Sequence, residues 1–112
     1  MDDAKRKRLE AKGWRFGTVK ELLGLSDEES ELIELKLKLA QSLRAKRLEK
    51  GLGQVKVAKL IHSSQSRVAK MEAGDASVSV DLLVRAHFAL GASTPDLGRI
   101  ITRPLARYQA LT

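Results

Sequence analysis

The segment QVKVAKLIHSSQSRVAKMEAG, residues 54–74, constrains the fold of this chain more than any other. Apolar residues recur at helical spacing on both sides of a polar interruption formed by His62, Ser63 and Ser64. Serine is a preferred N-terminal cap of a helix, because its hydroxyl accepts a hydrogen bond from a first-turn amide. The segment therefore predicts a short helix near residues 54–61, a tight turn, and a second short helix near residues 65–73 that Ser64 caps.

A longer regular segment, SDEESELIELKLKLAQSLRAKRLEKG, precedes this pair. Its LKLKL stretch alternates like a strand, whereas its leucines also recur every three to four residues like a helix. Ser26 and Glu29 have the spacing of a capping box, acids fill the first turn, bases fill the last, and Gly51 can end the helix. We expect one helix of about 24 residues, which at 1.5 Å per residue is about 36 Å long. Its N-terminal end is a candidate for packing against a second subunit or a partner.

Two further helices are predicted towards the C-terminus. One covers about residues 80–90, with Ser79 as its cap. Another begins near Pro95, with Thr94 as its cap and the proline at the first helical position. Leu97, the isoleucines that follow and Leu105 are then expected at a contact between subunits.

The N-terminal residues give a weaker pattern. Residues 1–13 are charged and lack periodicity, which indicates an arm. Thr18 and Glu21 have capping-box spacing and predict a short helix there, beside Trp14 and Phe16, which we expect to dock on the main domain.

Charge is distributed unevenly along the chain. The formal net charge is +7 and the pI about 10.0, which favours a polyanionic partner, although a ribosomal or membrane-surface protein would have a similar composition. Residues 44–75 hold eight basic and three acidic side chains, whereas residues 20–34 hold one basic and six acidic ones. We therefore expect one face that attracts an anion and another that repels it.

The sequence lacks the residue patterns typical of membrane proteins, enzymes and metal-binding proteins. The chain has no cysteine, no run of 18 apolar residues and no apolar stretch behind its basic N-terminus, so we expect a cytoplasmic protein without a membrane segment. Its two histidines, His62 and His87, have no acid at a meaningful spacing, and no glycine-rich phosphate loop occurs. We expect no enzyme, metal or cofactor, and we interpret His87 as a residue at the edge of the core.

Several positions of the central region, RLEKGLGQVKVAKLIHSSQSRVAKMEAGD, carry a family resemblance. It resembles the helix-turn-helix of the Cro and phage-repressor type, the XRE-like family, with a register that extends over residues 40–92. The matching positions are the helix-1 arginine, the glutamine that opens the next helix, a small residue where helices cross, the recognition-helix cap and a closing Glu-x-Gly: Arg47, Gln54, Ala58, Ser64, Glu72 and Gly74.

The resemblance implies a fold and a domain organisation. The fold is all-α, a five-helix DNA-binding domain of the lambda-repressor type with a helical N-terminal extension. Residues 1–25 would form the arm and a short helix, residues 26–92 the helix-turn-helix domain, and residues 93–112 a tail that takes part in dimerisation.

The resemblance also implies which residues bind DNA. The recognition helix would enter the major groove, with Gln65 and Arg67 as specificity residues, because glutamine can pair with adenine and arginine with guanine. Gln54 would contact a phosphate and brace Gln65. Lys56, Lys59 and the backbone amides near Ser77 would contact the DNA backbone and so position the protein on the duplex. The full set of expected DNA-binding residues is Gln54, Lys56, Lys59, Ser64, Gln65, Ser66, Arg67 and Lys70, with Arg47 and Glu72 as a structural ion pair.

Three positions depart from the family pattern. Where the family has a glycine in the turn, this chain has His62, which can adopt a left-handed conformation only at some cost. Where the family has an apolar residue after that glycine, this chain has Ser63. Gly53 replaces the usual Ser or Thr cap, a loss of a few tenths of a kcal/mol. The turn and the tilt of the recognition helix are therefore expected to differ in detail.

Two functions remain open at this point. The first is a dimeric, sequence-specific DNA-binding repressor, which the N-terminal segment makes similar to HigA-like antitoxins of toxin–antitoxin pairs. The second is a protein-interaction module that neutralises a toxin and binds little DNA itself. In the first, the acidic segment either covers a basic toxin or completes the fold and supports dimerisation.

Overall fold

A computed structural model describes residues 24–105, and within this range the chain is all-helical, with no strand. The five helices are α1 (Asp27–Glu49), α2 (Gln54–Leu60), α3 (Gln65–Glu72), α4 (Val80–Ala89) and α5 (Thr94–Thr102). This confirms the predicted all-α class. The expected arm, the short helix at Thr18 and Glu21, and the docking of Trp14 and Phe16 lie outside the described residues.

The helical interpretation of the LKLKL stretch is correct, because α1 runs through it without interruption. Ser26 and Glu29 form the predicted capping box, in which the Ser26 hydroxyl accepts from the Glu29 amide at 3.2 Å and Glu29 Oε1 accepts from the Ser26 amide at 3.2 Å. Asp27, Glu28 and Glu29 lie in the first turn, where the helix dipole favours negative charge.

The leucine stripe of α1 is buried only in its second half. Leu39 and Leu43 are fully buried, whereas Leu32 is 47 % exposed. The core forms where α1 meets the other helices, and its buried members are Leu39, Leu43, Val57, Ala58, Val68, Met71, Val78, Leu83, Ala86, Leu90 and Leu97. The N-terminal part of α1 thus extends past this cluster, as its length predicts.

His87 lies deeper than its expected position at the core edge. The side chain is fully buried on α4, and its Nε2 lies 2.9 Å from the carbonyl oxygen of Leu39 on α1. A carbonyl only accepts hydrogen bonds, so Nε2 carries the proton and donates it. Burial lowers the pKa of His87 below its usual 6.5, against a smaller opposing effect of this hydrogen bond. His87 is therefore a neutral histidine that joins α1 to α4.

The start of α5 differs from the prediction by one residue. Ser93, not Thr94, is the cap, because Asp96 lies three residues after Ser93 and completes a capping box with it, at 3.2 and 2.7 Å. Pro95 falls in the first turn, where its missing amide proton is not needed. Leu97 is buried in the core of its own subunit, which removes it from the residues available to a partner.

Two features of the structure favour glycine at position 74, at the end of α3. Its φ is +70°, a left-handed conformation that other residues adopt at a cost. A Cβ at this position would also lie 2.6 Å from Leu37 Cδ2 on α1. The glycine therefore lets the chain leave α3 while α1 packs closely beside it.

No helix among residues 24–105 is both long enough and apolar enough to span a bilayer.

Candidate nucleic-acid interface

A small buried residue lets α2 and α3 pack together. Ala58 on α2 is 4 % exposed, and Val57, Val68 and Met71 around it are fully buried. A larger side chain at position 58 would separate the two helices, because packed interiors have no space to absorb it. The packing of these four buried side chains thus orients α3 relative to α2.

The turn between the two helices adopts the conformation that a glycine would take. His62 has a φ of 55°, so the histidine is in the left-handed region. Its amide donates to the Lys59 carbonyl at 3.3 Å, and the Ser63 amide donates to the Ala58 carbonyl at 2.8 Å. These two bonds form the usual helix-ending motif. The departures at His62 and Ser63 therefore leave the turn in place, at the conformational cost expected of a non-glycine residue.

The N-terminus of α3 is capped as predicted. The Ser64 hydroxyl accepts from the Arg67 amide at 3.1 Å. By contrast, Gly53 offers α2 no side-chain cap. From this start α3 has two opposed faces: Val68 and Met71 are buried, whereas the four residues expected to contact bases and phosphates are exposed, namely Gln65, Ser66, Arg67 and Lys70.

A line of hydrogen-bonded polar side chains leads from the interior to α3. Arg47 pairs with Glu72 through two bonds, Nε to Oε2 at 2.5 Å and Nη2 to Oε1 at 2.9 Å. Arg47 also donates to the Leu52 carbonyl at 2.9 Å. The Glu72 side chain is 4 % exposed, and its hydrogen bonds to Arg47 raise the pKa of the Arg47 guanidinium above its usual value. This pair connects the end of α1 to the end of α3.

Gln54 and Gln65 continue this line outwards. Gln54 Nε2 donates to Glu72 Oε1 at 3.2 Å, and Gln65 Nε2 donates to Gln54 Oε1 at 2.6 Å. Gln54 is thus in place to brace Gln65, the arrangement that the resemblance implies. Its contact with a phosphate stays a prediction. We refer below to Arg47, Glu72, Gln54 and Gln65 as the polar relay.

Basic and hydroxyl side chains flank α3. Lys56 and Lys59 are exposed on α2. On the other side, a shallow depression separates α3 from the α3–α4 loop, and its lining residues are Ser64, Ser66, Arg67, Lys70, Ser77 and Val78. Hydroxyl groups beside two cations are suited to bind a phosphate.

The amide of Ser77 does not point at this depression as a free donor. It donates to Asp75 Oδ1 at 2.8 Å, and the Ser77 hydroxyl donates to the same oxygen at 2.6 Å. Both bonds lower the pKa of Asp75 below its usual value, and the bond from the Ser77 hydroxyl has the larger effect. The expected phosphate contact from amides near Ser77 therefore cannot use the Ser77 amide itself. The Asp-x-Ser spacing of this turn was visible in the sequence, and Asx turns of this kind are common.

Residues 43–97 match the family model described as helix-turn-helix. The match begins in the middle of α1, includes α2 and α3, and ends at Leu97 in α5. No curated protein and no solved structure gave a significant match. The helix-turn-helix match supports a DNA-binding regulator. It does not address the HigA-like subgroup, which stays a hypothesis.

Proposed function

We propose that this protein is a dimeric, sequence-specific transcriptional repressor that binds operator DNA through α3. The observation that carries this proposal is the outward face of α3, where Gln65, Ser66, Arg67 and Lys70 are exposed together on a helix held from behind by buried Val68 and Met71. Eight residues of α-helix are about 12 Å long. The major groove of B-DNA is also about 12 Å wide, and it presents base edges that glutamine and arginine can distinguish.

The charge around α3 supports binding to a duplex. Lys56 and Lys59 lie on the preceding helix, and Lys70 and Arg67 border the depression next to Ser77. Lysine and arginine contacts to phosphates bring affinity that is independent of sequence and falls with salt. In this arrangement the cations position the protein, and Gln65 and Arg67 read the bases.

Dimerisation is part of the proposal because a single short helix reads few base pairs. Two copies related by a twofold axis would read two half-sites about one helical turn apart. Of the residues first expected at the subunit contact, Ile101 is 42 % exposed, and Ile100 and Leu105 are partly buried. These three side chains, two at the end of α5 and Leu105 three residues after it, are the available part of that surface.

A toxin partner is a second element, favoured by the far end of α1. The first turn of α1 is acidic, and Leu32 next to it is 47 % exposed. About 20 residues separate this turn from Arg47, so the acidic end lies about 30 Å along the helix from the polar relay. A basic toxin on the acidic end and DNA on α3 could therefore be bound simultaneously. As an antitoxin that regulates its own operon, the protein would act in the cytoplasm.

Selection of bound sequences from a random duplex pool tests the leading proposal. A dimeric repressor should enrich an inverted repeat with half-sites about 10 base pairs apart, and light scattering should give twice the mass of the chain. Failure to enrich any sequence, together with binding that does not depend on salt, would reject it. Co-purification with the product of the neighbouring gene under those same conditions would instead favour a module that neutralises a toxin without binding DNA.

A further inference from the structure

The polar relay has a direction that follows from chemistry. Glu72 is a carboxylate held beside the charged Arg47, so both of its oxygens accept and neither donates. The amide of Gln54 must therefore turn its Nε2 towards Glu72 Oε1. Its Oε1 then faces Gln65, which has to supply an N–H. The buried carboxylate thus sets the orientation of the Gln54 amide directly and that of the Gln65 amide through Gln54.

This direction limits what Gln65 can offer to a base. One of its two Nε2 hydrogens is committed to Gln54, at 2.6 Å. The remaining groups are one N–H and the carbonyl Oε1, a donor beside an acceptor. Adenine presents N7 as an acceptor and N6–H₂ as a donor in the major groove, whereas guanine presents N7 and O6, which are both acceptors. The remaining N–H and Oε1 of Gln65 can therefore pair with adenine N7 and N6–H₂. With guanine, the O6 acceptor would face the Oε1 acceptor of Gln65, and no hydrogen bond could form between them.

We propose that Glu72 is a remote specificity-determining residue, which acts through Gln54 to orient Gln65 for adenine and against guanine. The proposal rests on the function proposed above, because it requires that α3 read bases. Glu72 itself is a positioning residue: its side chain is 4 % exposed and lies behind Gln54. Without a carboxylate at position 72, Gln54 can reverse its amide, and Gln65 is then free to turn both N–H groups towards guanine.

The first test needs no DNA. In the Glu72→Gln variant, the side-chain amide resonances of Gln65 should shift in a ¹H–¹⁵N spectrum, because its partner Gln54 can reverse. The Gln54→Leu variant removes the direct partner and shows how large such a change can be. The backbone resonances in the same spectra show whether each variant is folded. Unchanged Gln65 amide resonances in a folded Glu72→Gln variant would overturn the proposal.

The second test measures base preference on the selected operator, with adenine or guanine at the position read by Gln65. A bidentate match is worth roughly 5- to 150-fold in affinity over a mismatched base. We expect Glu72→Gln to reduce the adenine-to-guanine ratio by about tenfold or more, within that range. In a Gln54→Leu background, the same change at Glu72 should have no additional effect on the ratio, since the connecting residue is missing.

Asp75→Asn is the matched control. It also converts a carboxylate near α3 to an amide and removes one negative charge, but Asp75 bonds to Ser77 and not to the relay. It should raise affinity for both operators equally and leave their ratio unchanged. An equal change of ratio in Asp75→Asn and Glu72→Gln would show that charge, and not amide orientation, sets the preference.

A second variant covers the case in which Glu72→Gln does not fold because Arg47 loses its charged partner. Replacement of both charges, Arg47→Met with Glu72→Leu, removes the carboxylate without leaving a buried charge, a type of exchange that proteins often tolerate. It should reduce the adenine-to-guanine ratio in the same way. A preserved ratio in this folded double variant would reject the role of Glu72 but would not affect the proposal that α3 binds DNA. A wild-type protein that binds no duplex would reject the proposed function itself.

Discussion

The two faces of α3 differ in burial: the side chains of one face pack in the core, and those of the other are exposed to solvent. The inner face carries Val68 and Met71, both fully buried, and the outer face carries Gln65, Ser66, Arg67 and Lys70, all exposed. Changes on the inner face should alter the free energy of unfolding, because they open cavities in a packed core. Changes on the outer face should alter DNA binding and leave the fold nearly unaffected. A helix that is divided in this way can vary its specificity without losing stability.

The largest effect that separates the faces is expected at neighbouring positions, Met71 and Lys70. Met71→Ala should lower the free energy of unfolding by about 2–5 kcal/mol, because it removes a fully buried side chain. Lys70→Ala, one residue earlier but exposed, should change it by less than about 0.5 kcal/mol. Chemical denaturation of both variants measures the difference, and similar losses would mean that the two faces are not energetically distinct.

On the outer face, Gln65→Ala should cost about 1–3 kcal/mol in binding to a selected operator and little on random duplexes. The reason is that a base-reading contact contributes only when the matching base is present. Fluorescence anisotropy with both duplexes measures the two affinities. Equal losses on both would remove Gln65 from the set of specificity residues.

The two histidines extend the comparison to pH. His87 is buried and has a pKa below 6.5, whereas His62 is exposed in the turn. Above the unfolded pKa of about 6.5, His87 is neutral in both states and contributes no pH dependence. As the pH falls below that value, the unfolded chain binds a proton that the folded chain does not, so the free energy of unfolding decreases until the lower folded pKa is reached. The slope from this one group is at most about 1.4 kcal/mol per pH unit.

Denaturation between pH 7.5 and 5.5 checks this expectation. His87→Gln keeps an N–H donor for the Leu39 carbonyl but cannot titrate, so it should flatten the slope. An unchanged slope in a folded His87→Gln variant would contradict the assignment of the buried, neutral state to His87.

The smallest expected effect concerns the positioning residues beside α3. Lys59→Ala should weaken binding to every duplex alike and reduce the slope of log K against log salt by about one unit, because one phosphate contact is lost. Arg85→Ala is a control of equal charge on α4, where Arg85 pairs with Asp81 at 3.1 Å on the surface. If the two substitutions change the slope equally, Lys59 contributes general charge and not a specific contact.

Local sequence chemistry predicted most of the helical framework. The caps at Ser26, Ser64 and Ser79 were each predicted and are each present, with their hydroxyls accepting a first-turn amide. A cap involves residues only three positions apart, so its signal is contained in a short stretch of sequence. Ser93 was missed because Thr94 next to it can also cap a helix, and only the pairing with Asp96 distinguishes the two.

The sequence by itself thus determined the order of the helices, their approximate ends, and the polar residues that α3 presents. Tertiary structure alone decided that Leu97 and His87 are buried while Leu32 is exposed, and that Glu72 accepts a hydrogen bond from Gln54. The reason is distance along the chain: the relay joins residues 11 to 25 positions apart, and the His87–Leu39 bond spans 48. Contacts of that range exist only once the helices have packed, because no local periodicity or cap specifies them.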